Sequence, residues 1–329
     1  MRTIRVKRGK KGGSAEGETS PLGGFTIVEL LTVMSIIILL ISLLMPALTR
    51  VRRYAQFVKQ KAQFHAIGIA LDLFNSEQQG YPPSDRLDTA PAPGPFAYCG
   101  AMKLAEAMVG QDILGFNPDS VFRRDGLDSS GTNILYPVNP GTAAPTYPQY
   151  VENIKSRRMY VQSENANAFL LTDIYTVAHL AGTNYGGLNA TDANRVICDV
   201  YVRTMATGNK TGMPVLYYKA DTSKVAHLRV PPNPVIDLDK NIYDSRHNQD
   251  LVDIPLPWVT PAGPHHPMAM TGWTTQLGTP TDEGVFYDKT QDKKITTGAR
   301  PYRADSYILM SAGFDGEYGT KDDVFNYGE

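Results

Sequence analysis

The amino-acid sequence predicts an α+β protein, in which one long N-terminal helix packs on a small antiparallel β-sheet head that carries large loop-rich insertions. An apolar run at residues 25–48 leads directly into a segment with helical apolar spacing. Short β-branched and aromatic runs follow in the C-terminal half. Glycine and proline, 29 and 23 of 329 residues, separate them. Because 42% of the residues are hydrophobic, a wholly disordered chain is excluded.

A basic leader precedes the apolar run. The first 24 residues contain six basic and two acidic side chains, whereas the whole chain has a net charge of −1. The run from Phe25 to Leu48 contains a single charge, Glu29, and about 20 apolar residues are enough for a helix to span a bilayer. It exceeds the core of a signal peptide, and no small-residue cleavage site follows it. The run therefore predicts a single-pass membrane anchor, and the basic leader slightly favours a cytoplasmic N-terminus.

The residues around this charge form a recognisable motif, since residues 23–29 read GGFTIVE. This motif resembles the processing site of type IV prepilins and of type II secretion pseudopilins. In that family a prepilin peptidase cuts after the glycine and N-methylates the new first residue, so the resemblance implies a cut between Gly24 and Phe25. Glu29 then becomes the fifth mature residue, the family's characteristic glutamate. Pro46 becomes the twenty-second, where these helices commonly have a kinking proline.

Charge pairing gives Glu29 a physical role in this resemblance. A carboxylate inside a membrane is unfavourable and usually has a partner. In an assembled filament the partner would be the N-terminal amine at Phe25 of a neighbouring subunit, which favours assembly and fixes the axial register. The alternative is that Glu29 lies near the interface and reaches water. Pro46 removes one backbone donor and is expected to bend or loosen the helix, unless the helix simply ends there.

The segment that follows predicts an amphipathic second half of the same helix. Its apolar residues recur mostly at spacings of three and four, and the run stops at the breaker sequence GYPP of residues 80–83. The apolar positions are Val51, Tyr54, Phe57, Val58, Phe64, Ile67, Leu71 and Phe74. One helix over residues 25–79 is thus expected, with the basic residues of 50–61 forming a solvated or headgroup-facing collar.

The resemblance implies a pilin-like division of the chain into a leader, two helix halves and a periplasmic head. The expected boundaries are 1–24 for the leader, 25–48 for the transmembrane half, 49–80 for the amphipathic half and 81–329 for the head. Large insertions are expected at 84–160 and 221–300, because both are rich in loop-forming residues.

Within the head, the sequence predicts a short helix at 101–109 and three strands. The β-branched and aromatic runs 195–203 and 214–219 flank a glycine-containing turn and predict a hairpin, and 306–311 predicts the third strand. Residues 163–180 fit a helix and a buried strand equally well.

The C-terminal loop at 315–323 concentrates four acidic residues and two glycines. Closely spaced oxygen ligands in a tight loop suit Ca²⁺, although the spacing is not that of an EF-hand. The loop resembles the calcium loop of major pseudopilins. This implies Asp315, Asp322 and Asp323 as side-chain ligands, with weaker candidates at Thr320 and at the backbone carbonyls near Leu309 and Ser311. The alternative is a solvated acidic turn.

Two cysteines, Cys99 and Cys198, exclude a disulfide-rich mini-protein and a four-cysteine zinc site. In an oxidising periplasm they could form a disulfide. The sequence has no Walker A, G-x-S-x-G or C-x-x-C motif, and its histidines lack ligand spacing. No catalytic role is therefore expected.

The resemblance implies a non-enzymatic subunit of a type II secretion pseudopilus, anchored in the inner membrane with its N-terminus cytoplasmic and its head periplasmic. Its expected partners are other pilin-like subunits, a prepilin peptidase, the inner-membrane assembly platform of the secretion system and membrane lipid, but not nucleic acid. A type IV pilus subunit and a minor pseudopilin remain alternatives. So does a membrane-tethered enzyme or binding protein with a prepilin-type export signal.

Overall fold

The structure, a computed structural model, describes residues 25–88, 97–136, 147–162, 166–183, 185, 194–227, 240–269, 283–296 and 298–328. The chain divides into two compact units, Met1–Arg52 and Arg53–Glu329. A long N-terminal apolar helix and small antiparallel sheets make up an α+β layout, which confirms the predicted class at this level.

The first helix, α1, runs from Ile27 to Gln78. Pro46 lies inside it, so the alternative that the helix ends at this proline is wrong. The helix stops where Gln79 takes a φ of 58° and the predicted breaker sequence follows. Within the described residues, α1 is the single helix long and apolar enough to cross a membrane, a test that a signal sequence also passes.

The amphipathic half of α1 is only partly as predicted. Phe64, Ile67, Leu71 and Phe74 are buried in the core, but Val51, Tyr54 and Val58 are exposed and Phe57 is half-buried. The apolar spacing identifies residues that share a helix face, but it does not show how far along the helix the head extends. The first buried residue of α1 is Gln60, whose side-chain carbonyl accepts a hydrogen bond from the Val200 backbone at 3.0 Å.

The second helix, α2, lies at the centre of the head and begins one residue before its predicted start. All ten residues of Gly100–Val109 are buried, including Lys103 and Glu106. The Lys103 ammonium donates to the Asp85 carboxylate at 2.6 Å and to two backbone carbonyls. Glu106 accepts hydrogen bonds from Tyr98, Gln111 and Ser120. These partners compensate for the burial of the two polar side chains. Since α2 lies in the core, the 84–160 insertion contributes to it.

Further short elements complete the described head. The helices are α3 (Tyr147–Ser156), α4 (Leu171–Ile174), α5 (Val177–Leu180), a 3₁₀ helix (Ser245–Asn248), α6 (Gln249–Val252) and α7 (Glu283–Thr290). The strands are β1 (Ala168–Leu170), β2 (Arg195–Ile197), β3 (Arg203–Thr204), β4 (Lys210–Thr211), β5 (Leu216–Lys219), β6 (Tyr307–Ser311) and β7 (Val324–Phe325). The ambiguous segment 163–180 therefore contains both a strand and helical turns, and 221–300 contains helices as well as loops.

The main sheet has the order β5-β6-β7 and is antiparallel throughout. Leu216 pairs with Met310, and Ser311 pairs with Val324. Every residue of β6 is buried, as expected for a strand that is covered on both faces. The third predicted strand is therefore confirmed, and it leads directly into the acidic C-terminal loop.

The predicted hairpin of 195–203 with 214–219 is not the pairing that forms. Strand β2 ends at Ile197 and pairs with β1, while β3 and β4 form a smaller hairpin of their own. A single bridge between Cys198 and Pro214, flanked by two backbone hydrogen bonds, joins the two predicted runs. The β-branched pattern predicts extended backbone correctly at both ends of 195–203, but it does not specify a strand's partner.

Candidate functional site

The predicted processing site lies at the beginning of α1. Gly24 falls outside the described residues, and Phe25 is exposed before the first helical turn. Thr26 and Glu29 form a capping box, a feature whose T-x-x-E signature the sequence analysis did not use. The Thr26 backbone N–H and hydroxyl both donate to Glu29 Oε2 at 2.9 Å, and the Glu29 backbone N–H donates to the Thr26 hydroxyl at 3.2 Å.

This capping box gives Glu29 a partner within its own subunit. The negative charge lies in the first helical turn, where it interacts favourably with the helix dipole and satisfies an unpaired backbone donor. Both hydrogen bonds to the carboxylate use Oε2. Among the described residues no group donates to Oε1, so this oxygen is available to a donor from another molecule.

The acidic C-terminal loop brings three of its six predicted ligands together. The Asp315 backbone donates to Asp322 Oδ2 at 2.8 Å, and the Thr320 hydroxyl donates to Asp322 Oδ1 at 2.7 Å. Burial and the neighbouring Asp322 raise the pKa of Asp315. Burial opposes ionisation of Asp322 as well, but hydrogen bonds from Asp315 and Thr320 outweigh it and lower its pKa. The two carboxyl groups therefore interact directly and favour one shared proton.

Asp323 has a different environment. Its side chain is fully buried, and its Oδ2 lies 3.0 Å from the Lys289 ammonium of α7 and accepts a hydrogen bond from the Gly319 backbone. Lys289 also donates to the Thr320 carbonyl. Burial raises the pKa of Asp323 to about 7, although the Lys289 charge opposes this shift. Asp323 Oδ1 has no hydrogen-bond partner among the described groups.

The two remaining candidates belong to β6 and have other partners. The Ser311 hydroxyl donates to Asp199 Oδ2 at 2.7 Å, and the Leu309 carbonyl accepts the Asn326 backbone N–H at 3.2 Å. Within the described ranges there is no group of three or more His, Cys, Asp or Glu side chains placed to hold a metal ion. Asp315, Asp322 and Thr320 thus provide an incomplete oxygen set for Ca²⁺.

Close packing fixes the conformation of this loop. Gly313 has a φ of 68°, and a Cβ atom on it would lie 2.0 Å from the Asp322 carbonyl oxygen. A side chain therefore fits neither the backbone conformation nor the space. The loop holds Asp315 and Asp322 against each other because its two arms meet at this glycine.

Comparisons of the chain with protein-family models, curated proteins and solved structures give no match.

A buried carboxylate that the sequence analysis missed lies beside the acidic loop. Asp199 is fully buried and accepts hydrogen bonds from the Ser311 hydroxyl and from the Tyr201 and Met213 backbones at 3.2 and 3.1 Å. Burial raises its pKa to about 7, because these hydrogen bonds only partly replace hydration. The aspartate follows a strand-like run, and its sequence alone gives no sign that it is buried.

Cys99 and Cys198 are buried free thiols in the structure. Burial raises the pKa of both, which disfavours the reactive thiolate. Both side chains belong to the hydrophobic core of the head. Their pairing in an oxidising compartment stays a prediction.

The head contains a polar cavity of about 410 Å³ that bears on the tethered-enzyme alternative. Its lining includes Arg86, His179, Asp250 and His265. Arg86 makes a bidentate ion pair with Asp250 at 2.6 and 2.7 Å, and both ring nitrogens of His179 contact oxygen atoms of the protein. The His265 ring likewise contacts the Asp253 carbonyl at 2.9 Å, so the polar groups named here have protein partners.

Proposed function

We propose that the protein is a pilin-like structural subunit, anchored in the inner membrane and assembled into a periplasmic pseudopilus of the type II secretion class. The observation that carries this proposal is the organisation of α1. Its apolar half follows the Gly24–Phe25 junction directly, begins with the Thr26–Glu29 capping box and continues through Pro46. Its second half provides core residues to the head.

In this proposal the first turn of α1 mediates the association of subunits. Cleavage after Gly24 creates an amine at Phe25, and Glu29 keeps one carboxylate oxygen without a donor in its own subunit. Pairing between the amine and this oxygen compensates two charges that would otherwise lie unpaired in hydrocarbon, so it favours association of subunits in the membrane. The proposed partners are further copies of the chain or related subunits, the prepilin peptidase and the inner-membrane assembly platform.

Processing provides the decisive test of this function. We expect mass spectrometry of protein extracted from membranes to find a mature chain that begins with N-methylated Phe25. Gly24→Val should block the cut, because a peptidase site that accepts bare backbone has no room for the side chain, whereas Gly23→Ala serves as the neighbouring control. A chain that begins at Met1, or one cut after residue 48, would contradict the proposal.

We also propose that the acidic loop binds Ca²⁺ through Asp315, Asp322 and Thr320. Two interacting carboxyl groups and a hydroxyl suit a hard cation that takes oxygen ligands in irregular geometry. The pairing of Asp323 with Lys289 limits this site, because the ammonium already neutralises one predicted ligand. Lys289 comes from the 221–300 insertion, and no motif in the sequence connects it with the loop.

Calcium should stabilise the head if this site binds it. A ligand that binds only the folded state, present at a hundredfold excess over its dissociation constant, adds about 2.7 kcal/mol of stability. We expect a higher melting temperature in Ca²⁺ than in chelator, little effect of Mg²⁺, and loss of the difference in Asp322→Asn. The exposed Asp119→Asn is the matched control. Coincident wild-type curves with and without Ca²⁺ would identify the loop as an acidic turn closed by Lys289.

A further inference from the structure

Two cation–aromatic contacts lie side by side where the acidic loop meets α1. The Arg53 guanidinium lies 4.3 Å from the centre of the Phe314 ring, and that of Arg203 lies 4.1 Å from the Trp258 ring. Arg203 Nη2 also donates to the Phe314 carbonyl at 2.8 Å, which joins the two contacts. We call these four residues the cation–aromatic edge.

The cation–aromatic edge is held in place and is open to solvent. A Cβ atom at Gly316 would lie 2.7 Å from the Trp258 ring, so the loop packs directly on the indole. Phe314 is nevertheless 43% exposed, although it follows the fully buried Ala312 and the packed Gly313. An exposed phenylalanine held next to a guanidinium fits a surface that meets a partner with both apolar and anionic parts.

The charges of the edge are available to such a partner. Within the described part of the chain, neither Arg53 nor Arg203 makes an ion pair with a carboxylate. The acidic residue next to Phe314 in the sequence, Asp315, directs its carboxyl group to the Glu317 backbone and to Asp322. A guanidinium that stacks on a ring through its face still has edge N–H groups, which can bind a phosphate in bidentate fashion.

The position of Arg53 near the apolar run indicates which kind of partner the cation–aromatic edge binds. It lies on α1 five residues after Leu48, the last residue of the apolar run, and Arg50 and Arg52 add two more exposed charges. At the boundary of a bilayer, aromatic rings lie at headgroup level and basic residues bind anionic lipid. We propose that the cation–aromatic edge docks the head onto anionic phospholipid headgroups, an inference that rests on the proposed membrane anchor.

The test uses the full chain in lipid vesicles, with Trp258 as a fluorescent reporter of depth. Trp273→Phe leaves Trp258 as the single tryptophan. In vesicles of phosphatidylcholine with phosphatidylglycerol, we expect lipids brominated near the headgroup to quench Trp258. Pure phosphatidylcholine should give little quenching, and high salt should weaken it, since Debye screening shortens the reach of the charges.

Charge variants show whether the two arginines cause the docking. One basic residue near an anionic membrane changes the docking equilibrium about fivefold, so Arg53→Gln with Arg203→Gln should lower the ratio of docked to undocked heads roughly 25-fold. Lys293→Gln with Lys294→Gln removes the same charge at an exposed site and should have little effect.

The outcomes separate this inference from the proposed function. Failure of the protein to float with any vesicle would refute the anchor itself. Flotation without phosphatidylglycerol-dependent quenching of Trp258 would leave the anchor intact and overturn the docking. Quenching that is unchanged in the variant with Arg53→Gln and Arg203→Gln would also overturn the docking. Protection of Trp258 that appears only when subunits contact one another would overturn it too, because the edge would then be a protein interface.

Discussion

Replacing Glu29 with alanine should leave the protein in the membrane and abolish its assembly into filaments. Insertion should be unchanged or improved, since a charge leaves the apolar segment. Assembly should fail because the amine at Phe25 of the neighbouring subunit loses its partner, and leaving a buried charge unpaired costs about 3–5 kcal/mol. Membrane fractionation reports insertion, and electron microscopy of sheared filaments together with secretion assays reports assembly.

The capping box makes a single alanine variant ambiguous, because the same carboxylate also accepts from Thr26. Glu29→Gln resolves this, since glutamine can satisfy the helix N-terminus without a charge. If pairing with the amine matters, Glu29→Gln should fail like alanine, and Thr26→Ala should assemble with only a modest defect. Full assembly by Glu29→Gln would instead assign the residue to capping and would remove the charge-pairing role.

The sequence predicts the fold well where the information is local. The apolar run, the periodicity of residues 64–74 and the breaker after Gln79 all act over a few residues, and α1 follows them closely. Pairing between distant segments is not specified by such local signals. The run at 195–203 contains strands, as its pattern predicts, but β2 ends at Ile197 and pairs with β1. After β2 the Tyr201 backbone donates to the buried Asp199 carboxylate, a contact within the segment that the pattern predicts as one strand. The composition of the run does not specify which strand it pairs with.

The candidate site likewise combines features that the local sequence predicts with contacts between distant segments that it does not predict. The acidic loop is visible in the sequence, and the turn at Gly313 brings Asp315 and Asp322 together as expected. Lys289 lies 34 residues before Asp323 in a loop-rich insertion, and no motif connects the two. Likewise, the sequence indicates a basic segment after the apolar run but not that Arg53 would stack on Phe314, because that contact depends on tertiary packing.

Asp199 should make the stability of the head depend on pH, and the direction follows from its raised pKa. In the folded state the carboxyl keeps its proton up to about pH 7, whereas in the unfolded chain it loses it from about pH 4. Between these values the folded state binds more protons than the unfolded state. The free energy of unfolding therefore falls as pH rises through this window, and the contribution of Asp199 between pH 4 and pH 8 is about 4 kcal/mol.

Asp199→Asn isolates this contribution, because other groups titrate in the same range. Asp323 acts in the same direction, whereas the buried His266, whose pKa burial lowers to about 3, acts in the opposite one. Both groups are present in wild type and variant, so they largely cancel in the difference. The asparagine amide can donate to the Ser311 hydroxyl, a change that does not depend on pH.

Urea unfolding of the full protein in detergent, followed by the near-ultraviolet circular dichroism of the buried tyrosines, measures this difference. Relative to wild type, Asp199→Asn should gain about 4 kcal/mol between pH 4 and pH 8. Asp119→Asn, which replaces an exposed aspartate, is the matched control. If the wild-type and Asp199→Asn stabilities instead run parallel across this range, the Asp199 carboxyl titrates as it does in water. The hydrogen bonds from Ser311, Tyr201 and Met213 would then compensate fully for its burial.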